Sequence, residues 1–313
     1  MLTYKTKQYL FVLIKVVVLI AAPAFIYFRL TEANSLSMSQ FTDFVKSISA
    51  THPTIISLLF LLVFLNWFFE ILKWKSLVTL LKPISFAEST RQVLSAQSAA
   101  LFTPLKIGEY GLKTMFFESF LSKKVFFLNF LSNFSQLLAT LIFGSLGLFY
   151  FAKINSPDYL PIFWGVMAIL LFIVVFRKKT FSFIRIFFSK KAFLFLNNFS
   201  PQGKIQLLGF AFLRYLAFSL QFYILLNVFT PVPFWETLCL IFTYYLISSA
   251  FSVIQLLDIA VKTSVAFLVF PHIQPLSLLF ITLFMWLLNA VFPAIIGSGI
   301  LVSLKPNSQT SPV

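Results

Sequence analysis

The chain has 313 residues, is 59% hydrophobic and carries a formal net charge of +15, with a mean hydropathy of +0.94. That composition excludes a soluble globular protein and describes an all-α polytopic membrane protein, because several apolar runs approach the roughly 20 residues a spanning helix needs. The basic residues sit mainly in loops between apolar runs, the pattern of a membrane protein and not of a nucleic-acid binder. One cysteine, Cys239, and two distant histidines, His52 and His272, leave no disulfide framework, zinc site or Cys/His nucleophile to expect.

The first apolar run, about 10–28, follows Lys5 and Lys7 and continues past Ala22-Pro23-Ala24 to Phe28, so it reads as a spanning helix and not a cleaved signal. Leu36–Ala50 mixes Phe41, Phe44, Val45 and Ile48 with Asp43 and Lys46, and reads as an amphipathic surface segment. Further spans are expected at about 54–72, 125–151, 159–176, 205–229 and 276–303. Pro53 and Pro161 suit first-turn positions of their helices.

Two apolar regions are interrupted. In about 92–121, the stretch Thr103-Pro104-Leu105-Lys106-Ile107-Gly108-Glu109-Tyr110-Gly111-Leu112-Lys113 separates two short arms, Gln92–Phe102 and Tyr110–Leu121. Neither arm is long enough to cross, and irregular backbone is tolerated at membrane depth only where protein or water surrounds it. A re-entrant helical hairpin is expected here. In about 237–270, Asp258 and Lys262 fall between apolar arms and Pro271 closes the second. A second hairpin is expected, although its first arm is long enough to span alone. Thr180–Phe199 joins the halves and mixes phenylalanines with Arg185, Lys190 and Lys191, as an amphipathic helix on an anionic leaflet does.

With both termini in the cytoplasm, the inner segments hold most of the lysines and arginines, and the outer ones only Arg29, Lys46 and Lys153. This asymmetry fits a multi-pass protein of the cytoplasmic (inner) membrane. Lys82/Arg91 and Lys123/Lys124 flank the first hairpin on one side, as a re-entrant segment requires. An offset of 149 residues (258 less 109) places Glu109 on Asp258, Lys113 on Lys262 and Thr114 on Thr263. The chain then divides into a first membrane repeat at 1–153, a second at 154–304 and a cytoplasmic tail at 305–313. Each repeat contributes three of about six spans and one hairpin. An odd number of crossings inverts the second repeat, a recurring transporter plan.

Glu109 and Lys113, like Asp258 and Lys262, are four apart, acid before base, so each pair shares a helix face. Two readings of these pairs stay open. In one they are self-neutralised pairs that make a helix tolerable in lipid. In the other Lys113, Lys262 and free backbone N–H groups hold an anionic head group, with Gly108 and Gly111 allowing close approach, Lys106 adding charge, and the acids orienting the lysines or carrying protons. Arg214 lies well inside its span and needs a partner; Asn66, Glu70, Gln97, Gln136, Gln221 and Asn289 are further polar residues within apolar runs, with Glu70 also readable as an interfacial partner of Lys73.

At Asn66-Trp67, Lys73-Trp74 and Phe102-Thr103-Pro104 to Lys113, the chain resembles the transmembrane region of the lysylphosphatidylglycerol synthase family, which includes flippase-like proteins without an enzyme domain. The family's Pro-x-x-x-Gly-Glu turn followed by a basic residue is similar to Pro104, Gly108, Glu109 and Lys113. Its second motif, a Gly-rich turn before Gly-Val-Arg-Glu, is replaced here by Ala260-Val261-Lys262-Thr263. The resemblance implies a lipid transporter that moves an anionic phospholipid or lipid-linked intermediate between leaflets. Pro104, Lys106, Gly108, Glu109, Lys113, Asp258, Lys262 and Arg214 are its candidate substrate-binding residues. No soluble synthase domain can be fitted into the sequence, so aminoacyl transfer, a catalytic residue, a cofactor and a metal are not expected. Two other functions stay open: a membrane subunit that recruits a partner through its basic inner face, and a membrane enzyme acting on a lipid-linked substrate with Glu109 as general base.

Overall fold

The computed structural model describes Lys46 and residues 53–155, 160–175, 199–251 and 258–303, with side chains described except at 170–175 and 258. The expected first span at 10–28, and both amphipathic segments apart from Lys46 and Phe199, lie outside these residues. Among the described residues ten α-helices run in chain order: α1 Pro53–Val78, α2 Phe86–Ala100, α3 Ile107–Met115, α4 Ser122–Ile154, α5 Leu160–Val175, α6 Pro201–Phe229, α7 Phe234–Phe251, α8 Asp258–Val269, α9 Pro275–Trp286 and α10 Phe292–Ser303. No strand occurs among the described residues. The protein is an all-α polytopic membrane protein.

Local chemistry sets the helix starts. Pro201 and Pro275 each open a helix, where a missing N–H costs nothing. Ser200 accepts a hydrogen bond from Gly203 N at 3.0 Å and so caps α6. Ser85 accepts one from Glu88 N at 3.1 Å, the Ser-x-x-Glu cap that starts α2 six residues before the arm expected from hydropathy alone. Between α9 and α10 the chain makes a π-turn over Leu287–Val291. Pro293 follows it; its ring cannot lie against the carbonyl four residues back, and the widened turn removes that clash.

Among the described residues five continuous helical stretches are long and apolar enough to cross a membrane: Pro53–Val78, Ser119–Ile154, Pro201–Phe229, Phe234–Phe251 and Pro275–Ser303. Four match expected spans. The other is α7, the first arm of the second expected hairpin, which at 18 residues is long enough to cross alone. The expected span at 159–176 is α5, whose 16 residues reach about 24 Å. The first hairpin has the expected short arms: α2 has 15 residues and α3 nine. At about 22 and 13 Å, neither crosses a 30 Å hydrocarbon layer.

α1 packs along α6, α4 on α7, and α10 on α2; α3 lies against α2 and α4. Glycines permit two of these approaches. A Cβ on Gly297 of α10 would strike the Leu94 carbonyl of α2, and one on Gly147 of α4 would strike the Cys239 carbonyl of α7. Two helix starts recur at a similar spacing: α7 follows α2 by 148 residues and α9 follows α4 by 153. The core is rich in rings. Tyr215 stacks on Phe143 at 4.9 Å, and Tyr245 meets Phe218 at 4.7 Å.

Candidate functional site

The break between α2 and α3 is a tight turn. Thr103 Oγ1 donates to Ala99 O at 2.9 Å and accepts from Gly108 N at 2.8 Å, which ties the start of α3 to the end of α2. Gly108 is required there: a Cβ would sit 2.6 Å from Ala99 O, a backbone atom that cannot yield. Gly111 differs, with nothing within 4 Å of a built Cβ. Leu105 and Lys106 have φ of 50° and 57°, in the left-handed region. Two consecutive non-glycine residues there cost about 1–3 kcal/mol each, and the surrounding contacts must hold them. The turn leaves Pro104, Leu105 and Ile107 exposed while Lys106 lines an internal cleft.

Behind the turn lies a buried polar cluster. Lys113 Nζ donates to Glu109 Oε1 at 2.7 Å and to Asn129 Oδ1 of α4 at 2.7 Å, and lies 4.3 Å from the centre of the Trp74 ring of α1. The Trp74 indole N–H donates to Gln92 Oε1 of α2 at 2.7 Å. One lysine therefore joins α3 to α1 and α4. On α1, Glu70 Oε2 lies 2.7 Å from Lys73 Nζ and 2.8 Å from Arg214 Nη1 of α6. Glu70 is buried, not interfacial. Arg214 Nε donates to Asn66 Oδ1 at 2.9 Å, and its Nη1 lies 3.4 Å from Gln136 Oε1 of α4. Asn66 donates to Asn289 in the π-turn at 2.7 Å, and Asn289 to Gln221 of α6 at 2.9 Å. This hydrogen-bonded chain runs from α1 through α6 to the π-turn.

Trp67, Glu70, Val93, Gln97, Lys106, Glu109, Asn133 and Arg214 line a cleft between the two groups of charges. It encloses about 290 Å³ including its open mouth, but only about 20 Å³ is open to water-sized molecules. That admits a water molecule and not a lipid head group. The cluster gathers Lys73, Lys106, Lys113 and Arg214 around Glu70 and Glu109, so its bases exceed its acids by two.

Of the residues singled out from sequence, Lys106, Glu109 and Arg214 line the cleft, Gly108 closes the hairpin beneath it, and Lys113 is buried behind Glu109. Pro104 is exposed on the turn. Lys262 is half-buried on α8 and does not line the cleft; the side chain of Asp258 lies outside the described residues. Sequence reasoning used Trp67 only in the family resemblance and did not single out Asn129 or Asn133. An asparagine within an apolar run was the available signal for both. No metal-binding group of three or more His, Cys, Asp or Glu occurs among the described residues. No family model, curated protein or solved structure matches the chain.

Proposed function

We propose that this protein is a lipid transporter of the flippase type, which moves an anionic phospholipid or lipid-linked intermediate between leaflets. One observation carries the reading: Glu70, Glu109, Lys73, Lys113 and Arg214 form a charged cluster inside a bundle of apolar helices, beside a cleft that Arg214 and Lys106 line. An anionic group in the cleft would lie against Arg214 and Lys106, and ionisable residues inside an apolar bundle mark substrate pathways. The short-armed hairpin beside the cleft is of the kind that places backbone and ionisable groups within a transporter. The recurrence of helix starts near the 149-residue offset supports two repeats, 1–153 and 154–304, of opposite orientation. Both termini then face the cytoplasm. Likeness to the lysylphosphatidylglycerol synthase transmembrane region adds the substrate class. The cleft is too small for a head group as it stands, so the helices around it part to admit one. Glu109 as general base of an enzyme fits less well, because its carboxylate is committed to Lys113 at 2.7 Å.

The test is reconstitution into vesicles that contain phosphatidylglycerol with a fluorescent label on its acyl chain. Dithionite should bleach the inner-leaflet label in protein-containing vesicles and leave it intact in protein-free ones. Equal protection in both would refute transport of that lipid.

A further inference from the structure

The cluster contains four bases, and they are not equivalent. Lys73 and Lys113 side chains are 0% and 1% exposed, whereas the Arg214 side chain is 19% exposed and lines the cleft. Lys113 is held by Glu109, Asn129 and the Trp74 ring at once. To turn toward a ligand it would abandon all three and strand the buried Glu109 carboxylate. Arg214 is bound differently. Its Nε is anchored to Asn66 and its Nη1 lies against Glu70 and, at 3.4 Å, Gln136, while no hydrogen bond from its Nη2 occurs among the described residues. The Glu70 oxygen it shares also lies 2.7 Å from Lys73, so Glu70 keeps a counterion when the guanidinium leaves it.

Resting on the lipid-transport reading, we propose that Arg214 is the residue that meets the ligand's anionic group, a phosphate ester oxyanion of a lipid head group, while Lys73 and Lys113 are fixed counterions of Glu70 and Glu109. A guanidinium suits this task because its planar fork gives two parallel N–H donors to a phosphate. Asn66 holds Nε, so the Nη1–Nη2 edge is offered to the ligand once Nη1 gives up Glu70 and Gln136. Trp67, which also lines the cleft, has its ring centre 5.9 Å from the Arg214 guanidinium carbon. Its fluorescence therefore reports on the arginine's position.

The test uses the full chain in detergent, titrated with phosphatidylglycerol or phosphatidylcholine and read by native mass spectrometry, with Trp67→Phe identifying the Trp67 contribution to fluorescence. Wild type should retain phosphatidylglycerol over phosphatidylcholine. Arg214→Gln should weaken phosphatidylglycerol retention about tenfold or more, the scale of a lost charge-assisted pair. Lys113→Met should lower thermal stability yet keep the lipid preference in its folded fraction. Should Arg214→Gln not fold, Arg214→Lys carries the test: it keeps the charge, loses the fork, and should still weaken retention and abolish the lipid-induced Trp67 signal. Wild-type preference in both Arg214 variants, or its loss in Lys113→Met alone, would overturn the assignment while leaving lipid transport standing. A wild type indifferent to head group would overturn both. Displacement of the lipid by excess inorganic phosphate would assign the site to soluble anions and overturn the lipid source.

Discussion

The two interrupted regions begin with the same local device and end with different chemistry. Glu109 and Lys113 on α3, and Asp258 and Lys262 on α8, are acid–base pairs with the same spacing, 149 residues apart. Around Lys113 stand Asn129, Trp74 and Gln92, with Glu70 nearby on α1. The positions 149 residues on are Leu278, Tyr223, Ile241 and Ser219. Leu278 and Ile241 are buried and apolar. The second region accordingly packs through rings, with Tyr244 4.7 Å from Phe222, and leaves Lys262 half-buried. Helical spacing brings an acid and a base together; the neighbouring helices decide whether they become part of a buried polar site.

Lys113→Ala against Lys262→Ala breaks this comparison most directly. Removing Lys113 leaves the Glu109 carboxylate buried without its cation and should cost about 3–5 kcal/mol, whereas removing half-buried Lys262 should cost about 1 kcal/mol or less. Unfolding in a mixed-micelle titration would rank them, and equal losses would refute the asymmetry. Gly108→Ala and Gly111→Ala separate the two glycines of the first turn. The former must push Ala99 O away and should cost about 1–3 kcal/mol; the latter meets nothing and should gain about 0.5–1 kcal/mol from helix propensity. Thermal melts followed by tryptophan fluorescence should move in opposite directions. Asn129→Leu gives the first region the residue of the second. It removes a 2.7 Å acceptor from Lys113 and should cost about 1–2 kcal/mol, detectable as faster hydrogen exchange in α3. The smallest effect is expected in the second region: Tyr245→Phe deletes a 3.3 Å bond to Phe218 O and should cost about 0.6 kcal/mol, a shift at the edge of detection by calorimetry.

The sequence by itself determined what is local or set by solvent. Length and apolarity located α1, α4, α6 and the α9–α10 stretch, because crossing a bilayer imposes a length and forbids exposed backbone polar groups. Pro104 and Gly108, four positions apart between two short apolar arms, marked the hairpin turn, and four-residue spacing joined Glu109 to Lys113. Only the tertiary structure decided the partners of Arg214. Glu70 lies 144 positions from it, and Asn66 is 223 positions from Asn289. No periodicity in the sequence points to such pairs, because lipid is as apolar as the protein core and the helices carry no clear polar face. Which side of each helix turns inward was settled by packing, through glycines at the crossings, rings in the core and the need of each buried charge for a counterion.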